Sequence, residues 1–192
     1  FVADSFEVPG EGRTPALRTD EDFRKIPTLE QLSKLTPVFD SKDGTVTAGN
    51  SSGITDGAAF VHLSDVRHNH AALEAIDYEM VALDPKRMGL GPVPAVKNLL
   101  ARHHLSVTDL QAVELNEAFA AQVFACQREL NIPEERLNAW GGSIAIGHPI
   151  GATGTRIVVT LVHRLKGKTG ALGVATLCVS GGQGVAILVR AL

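Results

Sequence analysis

The 192-residue sequence predicts a layered α/β domain, on three observations. From about residue 73 onward, segments with helical apolar spacing alternate with short apolar runs of strand length. Glycine-rich stretches fall at the ends of those runs, where an open α/β sheet gathers its ligands. Apolar residues make up 44% and charged residues 20% of the chain, the balance of an ordinary globular protein.

The elements follow in order. Residues 1–45 carry Pro9, Pro15, Pro27 and Pro37 with charges between them, and predict a mostly irregular segment. Its one short helix is expected at 28–35, with Thr28 as N-cap. Residues 45–64 read TVTAGNSSGITDGAAFVHLS, a Gly/Ser/Asn-rich turn before a short strand expected at 59–63. The run 73–83 is a strand candidate. Residues 94–104 predict a helix with Ala95, Leu99 and Leu100 on one face, and 112–115 a short strand. Residues 117–130 are helical in spacing through Ala118, Ala121, Phe124 and Ala125. A second strong helix is expected over 151–165, apolar at Ile157, Val158, Leu161, Val162 and Leu165. The runs 171–179 and 185–189 are short enough to be buried strands and are expected to close the domain as a hairpin. No internal repeat is visible.

Composition excludes several classes of function. A net charge of −3 argues against nucleic-acid binding through phosphate neutralisation. No apolar stretch approaches the roughly 20 residues of a membrane-spanning helix. Two cysteines, Cys126 and Cys178, make neither a disulfide scaffold nor a zinc spacing, and no metal site is expected. They fit a reducing compartment, taken here as the cytoplasm. A mitochondrial or peroxisomal location stays open, although the ending Arg190-Ala191-Leu192 is not the Ser-Lys-Leu peroxisomal signal. The first residue is Phe1 rather than Met, so the expectation is a processed or cut chain.

Three segments carry the residue types for chemistry. The first is Asn116-Glu117-Ala118-Phe119, at a strand-to-helix junction. The second runs from Asn138 to Gly154 and includes Gly141-Gly142-Ser143 and Gly147-His148-Pro149. The third is Cys178-Val179-Ser180-Gly181-Gly182-Gln183-Gly184, between the last two strands. His148 stands between a glycine that lets backbone approach a ligand and a proline that sets chain direction. A neutral imidazole there takes a proton from a thiol or points an N–H at an oxyanion; a helix-capping or simply exposed histidine is the plain alternative. Cys178 ends an apolar run, as a proton-shuttling thiol or as a small core hydrophobe. Asn116 either holds a water or caps the following helix. Cys126, on the helix itself, reads as structural. The run Gly147, Gly151, Gly154 is a poor nucleotide loop, with neither the G-x-G-x-x-G spacing nor a Walker lysine.

Taken together and in this order, NEAF, GGSIAIGHPIGATG and CVSGGQG resemble the C-terminal signatures of the thiolases. KDGTVTAGNSSGITDGAA from Lys42 and DPKRMGLGPVPA from Asp84 extend the likeness over nearly the whole chain, most loosely in 1–36. The resemblance implies the C-terminal half of the thiolase fold, with 1–65 as the end of the N-terminal domain, including part of its loop region, and 66–192 as the C-terminal domain. It implies an acyltransferase of fatty acid metabolism and β-oxidation, which makes or cleaves 3-ketoacyl-CoA by Claisen chemistry through an acyl-cysteine. Coenzyme A is then substrate or product rather than a cofactor. His148 would activate the nucleophilic cysteine, Asn116 would position an oxyanion-hole water, and Cys178 would move the α-proton. The Ser180 N–H would donate in a second oxyanion hole. Ser52, Met88 and Phe119 fall where the family contacts pantetheine and thioester, and Arg24 near the nucleotide end of CoA. Position 180 is Ser where many relatives have Gly. The family's nucleophilic cysteine lies in its N-terminal half, and nothing here matches that motif. The implied partners are therefore that missing half or a separate chain supplying it, in a dimer or tetramer when complete. A non-catalytic fragment that binds acyl-CoA or a partner is the alternative, and a nucleotide-binding oxidoreductase a weaker third reading.

Overall fold

The computed structural model describes residues 27–65 and 71–192, and these partition by contact into two units, 1–35 and 36–192. In the first unit the expected short helix is α1 (Leu29–Ser33). Thr28 caps it: its hydroxyl accepts from the Gln31 N–H, and the Gln31 side chain accepts from the Thr28 N–H, a reciprocal capping box.

The second unit is built on one four-stranded sheet. Its elements are β1 (Leu73–Ala82), α2 (Pro92–Arg102), β2 (Leu110–Leu115), α3 (Ala120–Leu130), α4 (Ser143–Ile146), α5 (Thr153–Leu165), β3 (Leu172–Val179) and β4 (Gln183–Ala191). The strand order is β1-β4-β3-β2. The expected terminal hairpin forms β3 and β4, antiparallel from Leu172↔Arg190 to Val179↔Gln183. β1 pairs antiparallel with β4, and β2 runs parallel to β3, so the C-terminal ends of β2 and β3 lie at the same sheet edge.

Strand alternation divides the core between two faces. Val113, Leu115, Val174, Ala186 and Leu188 pack with Val96, Leu99 and Leu100 of α2 and Cys126 and Leu130 of α3. Ala112, Ala175, Val189 and Ala191 pack instead with Ile157, Leu161 and Leu165 of α5, one helical turn apart. Each of those large α5 side chains contributes about 2 kcal/mol by leaving water.

The differences from expectation are local. The chain over 59–63 forms no strand: it has no ladder partner among the described residues, and Phe60 and Leu63 are exposed. α2 begins earlier than expected because Pro92, at its first position, needs no N–H partner there. α3 begins later, because Phe119 is extended (φ −145°, ψ 140°) and bridges Ser51, while Ala118 O accepts from the Ser52 N–H. α5 begins at Thr153 because Pro149 to Ala152 close a turn first, the Pro149 carbonyl accepting from the N–H groups of Ala152 and Thr153.

Candidate active site at the end of the parallel strands

The loop from 137 to 147 is fastened to the end of β2. Leu137 bridges Val113 in parallel. Asn138, in the left-handed region (φ 43°), then uses its amide as a sheet neighbour would: Oδ1 accepts from the Leu115 N–H and Nδ2 donates to Leu115 O, both at 2.8 Å. Its Nδ2 also reaches Glu117 Oε1 at 3.0 Å, and Glu117 Oε2 accepts from the Ile144 N–H at 3.1 Å. One carboxylate thus ties the NEAF segment to the glycine-rich segment.

Asn116 follows β2 directly, its N–H donating to Thr176 O of β3 at 3.0 Å. Its side chain is almost fully buried, and Oδ1 accepts from Ser143 Oγ at 2.6 Å. Arg156 of α5 donates to that same Ser143 Oγ at 2.7 Å. The Asn116 Nδ2 lies 3.4 Å from His148 Nε2, and His148 Nδ1 lies 2.6 Å from Thr153 Oγ1. Thr153 Oγ1 in turn donates to Pro149 O at 2.9 Å.

The backbone around His148 is held from the other side. Its N–H donates to Gly53 O at 2.8 Å. Gly147 before it has φ 88°, and a Cβ there would meet Thr55 Cγ2 at 2.3 Å, so position 147 accepts only glycine. His148 itself is half-buried. Burial first, and the Arg156 charge second, push its pKa below the ordinary histidine value, which keeps the imidazole neutral at pH 7 and free to accept a proton.

Cys178 stands at the same sheet edge, near the end of β3 and opposite Gly184 of β4. It is buried, and burial raises its thiol pKa. Its thiol makes no hydrogen bond to His148 or Asn116 among the described residues, so two of the three expected groups are in contact and the third shares only their edge. Ser180 is exposed in the β3–β4 turn, before Gly181 and Gly182 at positive φ. Cys126 is fully buried, donates to Gly89 O at 3.3 Å, and is pushed up to about 11 chiefly by burial.

Of the residues expected to contact substrate, Ser52 and Phe119 sit next to the NEAF segment. Ser52 donates to Ala118 O through both its N–H (3.1 Å) and its hydroxyl (3.3 Å). The Phe119 ring packs edge-on against Phe39 at 5.5 Å. Met88 is half-buried in the 3-10 segment Pro85–Leu90, away from these contacts in sequence and next to Gly89, which holds Cys126. Arg24 lies outside the described residues. A cavity of about 340 Å³ opens on the flank of the His148 loop, between Thr55–Ala59 and Pro149–Ala152. Among the described residues no cluster of His, Cys, Asp and Glu could hold a metal ion.

Sequence reasoning missed Ser143, Thr153 and Arg156. Each has a bland reading, as a loop serine, a helix-start threonine and a helix arginine. The available signal was their position within the same glycine-rich stretch and the first turn after it.

Comparison with known proteins identifies the family. Residues 70–191 match the thiolase C-terminal domain and residues 6–66 the thiolase N-terminal domain. The mitochondrial 3-ketoacyl-CoA thiolase of Homo sapiens is 44% identical over 189 residues, covering 96% of this chain and 47% of that protein. The acetyl-CoA acetyltransferase of Cupriavidus necator is 46% identical over 184 residues, covering 93% and 47%. The chain therefore spans about half the length of the curated relatives it matches. Among solved structures, the Bacillus anthracis acetyl-CoA acetyltransferase superposes with a TM-score of 0.82 at 38% identity, covering 98% of this chain and 49% of that one. Human mitochondrial 3-ketoacyl-CoA thiolase in complex with CoA gives 0.77 at 38% identity, over 92% and 46%. The dimeric peroxisomal thiolase of Saccharomyces cerevisiae gives 0.79 at 33% identity, over 98% and 48%. With the thiolase C-terminal domain matched over residues 70–191 and relatives 44% and 46% identical across nearly all of its length, this chain belongs to the thiolase family.

Proposed function

We propose that these residues are the acid/base part of a CoA-dependent thiolase, with 1–65 as the end of its N-terminal domain and 66–192 as its C-terminal domain. The reaction is reversible Claisen condensation and thiolytic cleavage of a 3-ketoacyl-CoA. The observation that carries this reading is the buried Asn116 amide set against the neutral His148 ring at the end of two parallel strands.

In the proposed sequence His148 Nε2 takes the proton from a cysteine thiol supplied by the other half of the enzyme. The thiolate attacks the acyl carbonyl. For a 3-ketoacyl-CoA, the C2–C3 bond then breaks, leaving an acyl-cysteine and the enolate of acetyl-CoA. The Cys178 thiol, held protonated by its raised pKa, delivers a proton to the enolate carbon. CoA thiol then gives its proton to the Cys178 thiolate, its sulfur takes the acyl group, and the released cysteine thiolate recovers its proton from His148. The Asn116 amide, through a water, and His148 stabilise oxyanion charge, and the Ser180 N–H donates at a second site, a role that does not depend on its side chain. Ser52, Met88 and Phe119 line the pantetheine and thioester path, with Arg24 near the CoA nucleotide. CoA acts as substrate or product, no other cofactor is required, and the complete enzyme is a dimer or tetramer. The compartment is a reducing one, the cytoplasm or an organelle.

These residues alone are expected to show no thiolysis of acetoacetyl-CoA. Clear turnover by the purified chain, abolished by Cys178→Ala, would overturn the need for a second cysteine. With the N-terminal half of a relative added, His148→Ala should block acyl-enzyme formation, whereas Cys178→Ala should permit acylation and block condensation. Mass spectrometry of the trapped adduct reads both, and equal acylation in the two variants would refute the assignment.

A second reading, a fragment that binds acyl-CoA or a partner without turnover, has one observation in its favour: the chain spans about half the length of the curated relatives it matches. CoA binding with no acylation on addition of that N-terminal half would select it.

A further inference from the structure

We infer that Thr153 fixes the tautomer of His148 and that Arg156, through Ser143, fixes the orientation of the Asn116 amide, so that the imidazole presents a bare Nε2 to the site. The inference deepens the proposed role of His148 as base and rests on that reading for its catalytic meaning. It stands on geometry alone for the proton positions.

The contacts form one chain whose direction is set from the Arg156 end. At one end Arg156 is a donor only, and at the other Pro149 O is an acceptor only. Thr153 has one hydroxyl proton, spent on Pro149 O at 2.9 Å. Pro149 O also accepts from the Ala152 and Thr153 N–H groups, and with the hydroxyl proton directed at it Thr153 meets His148 Nδ1, 2.6 Å away, as the acceptor of an Nδ1 proton. Ser143 likewise has one proton. Its oxygen receives Arg156 Nη2 at 2.7 Å, and its proton goes to Asn116 Oδ1 at 2.6 Å. The amide oxygen is thereby committed, which turns the Asn116 Nδ2 donor toward His148 Nε2. An N–H there requires a lone pair on Nε2. The Ser143 half sets Nε2 bare, and the Thr153 half accommodates the same result, with Nδ1 protonated.

The opposite arrangement requires two reversals at once. Moving the proton to Nε2 would set it against the Asn116 N–H, and would turn the Thr153 hydroxyl from Pro149 O to Nδ1. Flipping the Asn116 amide to relieve the first conflict would give Ser143 two incoming donors and leave its own proton without an acceptor in the chain. Ser143, Thr153 and Asn116 are each at most 1% exposed, so water cannot repair an unmet group cheaply. The Asn116 contact at 3.4 Å is long for a hydrogen bond, so a thiol proton arriving at Nε2 displaces little. Thr153, Ser143 and Arg156 are positioning residues: they act through His148 and Asn116.

The test is nitrogen-15 NMR of the histidine rings in the full chain at neutral pH, with His148 assigned by the signals lost in His148→Gln. The expected spectrum has a protonated Nδ1 and an unprotonated Nε2. Thr153→Ser should keep it, because the hydroxyl is retained. Thr153→Val should move the population toward the Nε2–H form. In the reconstituted enzyme, Thr153→Val should lower kcat roughly tenfold or more with KM little changed, and Thr153→Ser should restore it. A wild-type ring protonated at Nε2, or a Thr153→Val spectrum identical to wild type, would overturn the inference. If Thr153→Val does not fold, the wild-type and Thr153→Ser spectra decide. The expected tautomer without thiolase turnover on reconstitution would leave the proton assignment standing and remove the proposed function.

Discussion

At the scale of single residues, the most costly group outside the site is Glu114. It is 1% exposed and paired with Arg164 of α5 at 2.6 Å, while Arg164 also donates to Val113 O and Arg136 O. Burial raises the Glu114 pKa despite the arginine, because desolvation outweighs the pairing. The folded state thus holds the Glu114 proton more tightly than the unfolded chain does. Its contribution to stability is fully present below the unfolded value near 4.5 and is lost as pH rises through the folded value. Near pH 7 the pair is therefore no strong stabiliser, yet breaking it strands a charge. Glu114→Leu or Arg164→Met alone should cost about 3–5 kcal/mol, while the two together should cost clearly less than their sum, the remaining loss coming from Val113 O and Arg136 O. Urea denaturation of the four proteins measures this, and additive single-variant losses would refute it. Residues of this kind were hidden in the sequence, since Glu114 reads as the polar step of a strand. His148 was visible because glycine and proline flank it. Thr153 was not, because a threonine at a helix start has an ordinary explanation in capping.

At the scale of elements, the decisive contact is between two backbones. Gly184 is the second residue of β4 and Gly91 precedes α2. A Cβ on Gly184 would lie 2.0 Å from Gly91 O, and a Cβ on Gly91 would lie 2.5 Å from Gln183 O. Both obstacles are main chain and cannot swing aside. This approach lets the first turn of α2, with Pro92 and Val93, lie against the sheet. Gly184→Ala should destabilise the fold by about 3 kcal/mol or prevent it from forming, and a chemical denaturation midpoint equal to wild type would contradict the account. Gly184 was noted in the sequence as part of a catalytic-looking cluster, but its structural need was not, because it depends on a partner 93 positions away. The same reason separates the elements that could be read from those that could not. α5 and the β3–β4 hairpin follow from period and length within their own residues. The late start of α3 depends on Ser51 and Ser52, and the absence of a strand at 59–63 depends on there being no neighbour to pair with. The four-residue α4 carries too little apolar repeat to announce itself, and its N-terminal Ile144 N–H is satisfied by Glu117, 27 residues earlier.

At the scale of the molecule, the second unit carries more apolar surface than its own core accounts for. Ile54, Phe60 and Leu63 are 85%, 87% and 78% exposed in the stretch around the His148 loop, and Ile146 and Ile150 are exposed on that loop itself. Scattered apolar residues are ordinary on a protein surface, but these cluster in two adjoining segments that Gly53, Thr55 and Gly147–His148 hold together. Since the chain spans about half the length of its relatives, the consequence can be tested directly. The purified chain should self-associate or bind a hydrophobic dye, and Phe60→Ser with Leu63→Ser should reduce both without lowering stability, because neither side chain is buried. Analytical ultracentrifugation over a tenfold concentration range reads the first, and dye fluorescence the second. A chain that stays monomeric and dark to the dye would contradict an exposed apolar face along 54–63. If addition of the N-terminal half of a relative suppresses association in proportion to the acylation it restores, one surface accounts for both effects. Suppression without acylation would favour the non-catalytic reading.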